Sequence, residues 1–328
     1  MAAPSDRVCI GVDIGGTNLR CALVDTEGAV IASERSPTDI RMGQESFLKR
    51  LLRGISAVRN RGEAIGKEVR AIGMGIPGLI AGSGLVLSSV NLLPIVGLNL
   101  QEIVAQATAL PVIAANDANA AAYGEKRFGA GSSFSSLLLF TLGTGVGSGL
   151  ILDGKLWTGS DGVAAEYGHA TVEPDGLICA CGNRGCLEQY ASASAMVAAA
   201  LKALEEGAGG ELAALQRASI SAEKIASAAR RGDPLACSLF ARAGRYLGIA
   251  GAAIVNLLNL DAILLSGGVA ASFDLLAGPM RKEIVARAFD VPAARVSILK
   301  GELGDDAGIL GAAALAMETF VHNPTLRA

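Results

Sequence analysis

Histidine is nearly missing from this chain. There are two in 328 residues, His169 and His322, so a Ser-His-Asp triad has almost nothing to be built from. Aromatic residues make up 4%, the net charge is -3, and no basic cluster interleaved with aromatics occurs, which removes the electrostatic footprint of a nucleic-acid binder. The N-terminus, Met-Ala-Ala-Pro-Ser-Asp-Arg, has no charged segment followed by an apolar one, so no secretory signal is expected. The uncharged stretch Ser132 to Leu152 is long enough for a membrane span, but about half of it is Gly, Ser or Thr, which argues against one. These absences point to a cytoplasmic protein with reduced thiols. Its expected partners are small molecules and further copies of itself, with no nucleic acid and no membrane.

What is abundant is Ala, Leu, Val, Ile and Gly, the composition of an α/β enzyme, in a chain long enough for two domains. Val8 to Ile14, Leu19 to Asp25 and Ala29 to Ser33 read as three antiparallel strands separated by Gly-rich turns. Gln44 to Arg61 repeats Phe47, Leu48, Leu51, Leu52, Ile55 and Val58 at helical spacing. A strand over Val69 to Ile76 runs into the turn Gly75-Ile-Pro-Gly78, and a strand over Val112 to Ala115 runs through Asn116-Asp117 into a helix over Ala118 to Phe128. The opening pattern then recurs. Asp13-Ile-Gly-Gly-Thr17 placed over Thr141-Leu-Gly-Thr-Gly145 also aligns Val24-Asp25 with Leu152-Asp153, which suggests a duplicated half. Helices are expected over Ser194 to Glu206, Ala222 to Arg231 and the apolar stretch Asp233 to Leu258. A strand over Asp261 to Leu265 then ends in Ser266-Gly-Gly-Val269, and a last helix runs from Ala307 to Phe320. The expected domains are 1–117, completed by a C-terminal helix over 305–328, and 118–304, meeting across a cleft.

One segment concentrates ligand chemistry. His169, Cys179, Cys181 and Cys186 fall within eighteen residues, bracketed by Glu166 and Glu188 and punctuated by Gly176, Gly182 and Gly185. Thiolate-rich donors at this spacing suit tetrahedral zinc, and four protein ligands close its shell, so the metal is expected to be structural and to hold the loop 166–188. Cys9, Cys21 and Cys237 lie in apolar runs and read as core. Elsewhere, Gly-rich turns leave backbone N–H groups free for phosphate oxygens, and Asp13 offers a carboxylate for magnesium. Neither Gly-rich turn is followed by Gly-Lys-Ser/Thr, and the first is strand-turn-strand, so both the P-loop and the dinucleotide fingerprint are disfavoured. Two such turns plus Ser266-Gly267-Gly268 form the phosphate and adenosine arrangement of the two-domain actin-like ATPase (ribonuclease H-like) α/β fold. Asp117 reads equally as a catalytic carboxylate or as a helix cap.

With these residues in view, the chain resembles the ROK family of bacterial repressors and sugar kinases over essentially its whole length. The carrying motifs are Asp13-Ile-Gly-Gly-Thr17, Gly75-Ile-Pro-Gly78, Asn116-Asp117, Gly143-Thr-Gly-Val-Gly147, Glu166-x-Gly-His169 and Gly176-x-x-Cys179-x-Cys181-Gly-x-x-Gly-Cys186-x-Glu188. The resemblance implies a kinase that transfers the γ-phosphoryl group of ATP, with Mg²⁺, to O6 of a hexose. Asp117 would be the general base. Gly75, Pro77, Gly78, Asn91, Asn116, Asp117, Glu166, His169 and Glu188 would line the sugar, His169 being shared with the zinc. Asp13, Gly15, Gly16, Thr17, Asn18, Gly143, Thr144, Gly145, Gly267 and Gly268 would hold the nucleotide.

Glu166-Tyr-Gly-His169 and the full cysteine set resemble the family's glucokinases, which favours glucose. N-acetylmannosamine, N-acetylglucosamine and fructose remain alternatives, as does polyphosphate as donor. Val96-Gly97 stands where many relatives have a tryptophan. The family's sugar-sensing repressors carry a DNA-binding domain ahead of the first phosphate turn, and here that turn starts at Asp13. A homodimer or homotetramer is implied. His322 reads as part of a solvated polar tail.

Overall fold

The computed structural model describes residues 7–322. Asn323 and Pro324 of the expected tail, and the side chain of His322, lie outside the described residues. The first sheet opens with β1 (Arg7–Ile14), β2 (Asn18–Asp25) and β3 (Val30–Pro37), antiparallel as expected. β3 continues past Ser33 through Glu34-Arg35-Ser36-Pro37, since an edge strand tolerates polar side chains facing water. β4 (Glu68–Ile76) and β7 (Val112–Asn116) add in parallel, giving the order β3-β2-β1-β4-β7. A two-stranded ribbon, β5 (Leu79–Ile80) and β6 (Val86–Ser88), follows β4.

Both faces of this sheet are covered, and alternation along β1 sorts the residues between them. Val8, Ile10, Val12 and Ile14 pack with Phe47, Leu51, Ile55 and Val58 of α1 (Gln44–Ala64), while Leu100 and Val104 of α2 (Leu100–Thr108) join the same core. On the other face, Cys9 packs with Ile309, Leu310 and Ala313 of α10 (Ala307–Met317). Glycine is required there by close approach: a Cβ on Gly11 would lie 2.1 Å from Ile309 O, and one on Gly73 1.8 Å from Ala312 O. α3 (Asp117–Phe128) nests against α10 in the same way, a Cβ on Gly311 falling 1.7 Å from Ala120 O.

The second sheet, β8 (Leu137–Leu142), β9 (Val146–Leu152), β10 (Lys155–Trp157), β11 (Ala262–Ser266) and β12 (Ser297–Lys300), has the order β10-β9-β8-β11-β12. Counted from its own first strand, that is the third-second-first-fourth-fifth order of the first sheet, in agreement with a duplicated half. Ser132 to Leu152 thus supplies two strands, and among the described residues no helix is long and apolar enough to cross a membrane. The remaining helices are α4 (Glu188–Ala191), α5 (Ala193–Glu205), α6 (Ala222–Arg230), α7 (Pro234–Leu258), α8 (Phe273–Arg287) and α9 (Asp290–Arg295).

Several sequence expectations need correction. Cys237, expected in the core, is exposed: Ala236, Leu239, Phe240 and Ala243 form the buried stripe of α7, and position 237 lies off it. The last helix is α-helical only to Met317, and Glu318–His322 forms a wider π-helical turn. The described residues divide into two compact units, the first holding 7–133, 149–165 and 302–322, the second 134–148 and 166–301. α3 and residues 149–165 thus fall in the first unit, whereas everything from 118 to 304 was expected in the second. Their packing explains it. α3 rests on α10, and Gly149 leans on α3 so closely that a Cβ would lie 2.8 Å from Ala118 O.

Candidate active site

In the first unit, the carboxyl ends of the parallel strands β1, β4 and β7 share one edge, which is where open α/β sheets bind ligands. The register sets Asp13 beside Gly75 and Ile76 beside Asn116, so Asp13, the 75–78 turn and Asn116-Asp117 emerge side by side. A Cβ on Gly75 would sit 3.3 Å from the Ala120 Cβ and 3.6 Å from the Asp117 Cα, so this strand end lies against the start of α3. The Asp13 Oδ1 lies 3.4 Å from where a Cβ on Gly308 would stand, so the first turn of α10 closes over it.

β7 passes into α3 without a loop, and the cap is Asn116 rather than Asp117. Asn116 Oδ1 accepts from the N–H groups of Ala118 (2.9 Å) and Asn119 (3.1 Å), and Asn116 Nδ2 donates to Gly78 O at 3.0 Å. This ties the helix start to the 75–78 turn and aims the residue after the cap. Burial raises the Asp117 carboxyl above the ordinary range, against hydrogen bonds from Ala118 N–H and Asn116. Asp13 is pushed up to about 6, chiefly by burial and then by the Asp117 charge, with Arg20 opposing and Asp305 and Asp306 adding to the rise. Arg20 is the cross-strand partner of Asp13, donates to Asp305 O at 2.7 Å and pairs with Asp306. Neither Arg20 nor Gly308 carries a motif that marks it in the sequence.

The turn after β1 is a hairpin in which Gly15 N–H donates to Asn18 O at 2.8 Å, and Thr38 braces it by donating from Oγ1 to Gly15 O (2.6 Å) and from N–H to Thr17 O (2.9 Å). Gly16 and Thr17 stay exposed at its tip, with the Asn91 side chain close to Gly16. Gly78 has φ 116°, and a Cβ there would meet Ser88 O at 2.0 Å. Val96 is half-exposed, and Gly97 has φ 86°.

In the second unit, β8 and β11 end in the turns holding Gly143, Thr144 and Gly145, and Gly267 and Gly268. Gly143 N–H donates to Gly145 O at 3.0 Å, and Gly267 has φ 85° with its Cβ position 2.7 Å from Leu142 O. Glu188 begins α4 and reaches back to the first of these turns, its Oε2 accepting from Val146 N–H at 3.0 Å. A Cβ on Gly145 would stand 2.3 Å from that oxygen. Glu166 O accepts from His169 N–H at 3.0 Å in a tight turn, and Gly168 is pressed so close to Val146 O that a Cβ would lie 1.8 Å away.

His169, Cys179, Cys181 and Cys186 do converge: one donor atom from each lies within 4.8 Å of the others, a cluster able to hold a metal ion. Cys179 Sγ is 3.7 Å from His169 Nδ1, and Cys181 Sγ is 3.7 Å from Cys186 Sγ. Burial and then the neighbouring Cys181 push the Cys186 thiol up to about 12, while backbone N–H donation from Asn183 draws Cys181 down. Asn183 and Gln189, which no motif marked, donate to Cys186 Sγ (3.3 Å) and Cys179 Sγ (3.5 Å).

The chain is similar to known proteins along most of its length. The chain is 36% identical to a glucokinase of Streptomyces coelicolor over 94% of this chain and 97% of that one, and 34% identical to a glucokinase of Thermotoga maritima with the same coverage. Among solved structures, it is similar to a ROK family glucokinase from Streptomyces griseus in complex with glucose and AMPPNP, at 36% identity and TM-score 0.79 over 95% of this chain and 99% of that one. A sequence profile of the ROK family matches residues 9–319, and with motifs and fold in agreement along that length, the chain belongs to the ROK family.

Proposed function

We propose that this protein is an ATP-dependent hexose kinase acting on O6, with glucose as its acceptor and the actin-like ATPase architecture as its frame. The observation that carries the reading is Asp117: a carboxyl raised by burial, set directly after the cap of α3 and beside Asp13 and the 75–78 turn. The glucokinases at 34 to 36% identity support the choice of sugar. In the reaction, the sugar hydroxyl oxygen bonds to the γ-phosphorus, the bond from that phosphorus to the ADP oxygen breaks, and Asp117 accepts the hydroxyl proton. An elevated carboxyl suits this task, because a base is most effective with a pKa near the working pH. Asn116, Gly75, Pro77, Gly78, Asn91, Glu166, His169 and Glu188 are assigned to sugar hydroxyls. Gly15, Gly16, Thr17, Asn18, Gly143, Thr144, Gly145, Gly267 and Gly268 are assigned to the nucleotide.

Asp13 is the carboxylate assigned to Mg²⁺, which would neutralise charge on the transferring phosphoryl group. The Cys and His donors fit zinc. A Zn–S bond of 2.3 Å in a tetrahedron sets sulfurs about 3.8 Å apart, and Cys181 and Cys186 lie at 3.7 Å. Zinc would hold the loop that carries His169 and leads into Glu188. Exposed Leu257, Val285, Phe289 and Val291 in the second unit support self-association as a dimer or tetramer. The test is ADP release from Mg·ATP with glucose, N-acetylmannosamine, N-acetylglucosamine, fructose and mannose. A sugar-dependent rate that Asp117→Asn lowers by roughly 10²- to 10⁴-fold is expected. No turnover with any of the five, by protein that retains its zinc, overturns the reading.

A further inference from the structure

Among the described residues, three buried side-chain atoms lack any hydrogen-bond partner: Arg7 Nε, Ser89 Oγ and Asn119 Oδ1. Arg7 begins β1, at the end of that strand opposite Asp13, and Asn119 backs onto Gly149, where a Cβ would lie 3.1 Å from its Cα. Ser89 differs from both in its surroundings. It follows β6 directly and is 3% exposed, while the next residue, Val90, is 86% exposed. A Cβ on Gly78 would fall 2.0 Å from Ser88 O and 3.0 Å from the Ser89 Cα, so nothing larger than hydrogen separates Ser89 from the 75–78 turn. The carbonyl of that same Gly78 holds Asn116 Nδ2, and Asn116 precedes Asp117. Two residues further on, Asn91 stands against Gly16 of the phosphate turn. Ser89 thus belongs to the segment that connects the two turns.

A buried hydroxyl without a partner is costly, and alanine would fill the same space without that cost. No hydrogen bond holds the orphan hydroxyl in one rotamer, so turning about its Cα–Cβ bond breaks none. A sugar presents a ring of hydroxyls, each both donor and acceptor, and a serine hydroxyl complements any of them. We infer that Ser89 is a further specificity-determining residue of the acceptor site, its hydroxyl pairing with one ring hydroxyl of the bound hexose. No motif marked it.

This inference rests on the hexose-kinase reading, and its test separates the two. Wild type, Ser89→Ala and Ser89→Cys are compared with the acceptor that the wild type turns over fastest. Expected for Ser89→Ala is a rise of roughly three- to tenfold in the sugar KM, the worth of one neutral hydrogen bond. The KM for Mg·ATP should stay within twofold, and the melting temperature of the sugar-free protein should be unchanged or higher. Ser89→Cys, with a weaker donor of similar shape, should fall between. In a series of monodeoxy sugars, Ser89→Ala should have no further effect on the analogue that lacks the partner hydroxyl. A sugar KM within twofold of wild type overturns the inference, as does a lower melting temperature without sugar, which would mean that the hydroxyl was already satisfied. A wild type that phosphorylates none of the sugars instead sinks the kinase reading, and this inference with it.

Discussion

Asp13→Asn should make the protein more stable while abolishing its activity. Asp13 is partly buried at the end of β1 and faces Asp117 from α3 together with Asp305 and Asp306 ahead of α10, with Arg20 from β2 as the opposing charge. Burial and these carboxylates lift its pKa from 3.8 to about 6. At 1.36 kcal/mol per pKa unit, holding Asp13 ionised in the folded state costs at most about 3 kcal/mol. The sign follows from linkage. Below about pH 4 the group is protonated in both states and costs nothing; between about 4 and 6 the folded state binds more proton, so stability falls as pH rises; above about 6 the full cost is present. Asparagine matches the shape of the protonated acid without its charge. In urea unfolding without added divalent ions, the variant should therefore exceed wild type by about 1 to 3 kcal/mol at pH 7.5, and the gap should shrink towards zero at pH 4.5. Mg²⁺ with nucleotide should raise the midpoint of the wild type and leave that of the variant nearly unchanged, because a bound ligand stabilises only the state that binds it. A variant no more stable than wild type at pH 7.5, or an advantage independent of pH, would refute the electrostatic account.

Gly145→Ala should displace Glu188, because the new Cβ would sit 2.3 Å from the carboxylate oxygen that Val146 N–H holds; a hydrogen bond to a charged group is worth about 1.5 to 3 kcal/mol, so kcat/KM for sugar should fall by roughly 10- to 100-fold, and a crystal structure with Glu188 unmoved would contradict this. Removing zinc with a chelator should release one metal per chain, read with a colorimetric dye, and lower kcat/KM for sugar by roughly tenfold or more, since misplacement of a positioning group by about 1 Å is that costly; full activity in metal-free protein would rule out the positioning role. Gly311→Ala should lower stability by about 1 to 3 kcal/mol through overpacking against Ala120 O, only 1.7 Å from the added carbon, and an unchanged urea midpoint would show that α3 and α10 can part freely.

What was legible in the sequence was local. The Cys179-x-Cys181 and Cys186 spacing placed three sulfurs within reach of His169 because a short Gly-punctuated loop can bring them together, and the donors do converge. The apolar run of β1 and the helical period of α1 were readable for the same reason, each being set by residues close together in the chain. Long-range pairings were not readable. Glu188 meets Val146 N–H across 42 residues, Arg20 meets Asp306 across 286, and neither contact leaves a trace in composition or period. α8 was not anticipated, and Pro279 stands inside it. Cys237 was misjudged because the mean apolarity of a run does not say which side of a helix a residue takes. The sequence left Asp117 open between catalytic carboxylate and helix cap; Asn116 takes the cap, and the base role of Asp117 stays part of the proposal.

The two sheets repeat one strand order but differ at the strand ends that matter. At the carboxyl edge of the first stand Asp13 and Asp117, and the position aligned with Asp13 in the second half is Thr141, followed by Gly143 and Gly145. β11 likewise ends in Ser266 and Gly267. A carboxylate at a strand end can hold a cation or take a proton, whereas a glycine turn offers only N–H groups to an anion. A duplicated half would begin with the same groups in both copies. Asp13 and Asp117 therefore stand at strand ends of the first sheet alone, while Gly-rich turns follow strands of both. The Asp117 charge adds to the rise of Asp13 only because both lie on the first edge; spread over two edges, Asp13 would lose that contribution and ionise at lower pH. Holding both acids on one edge makes Asp13 costly to keep ionised without a cation beside it, so on the proposed reading stability without metal is exchanged for readiness to bind it.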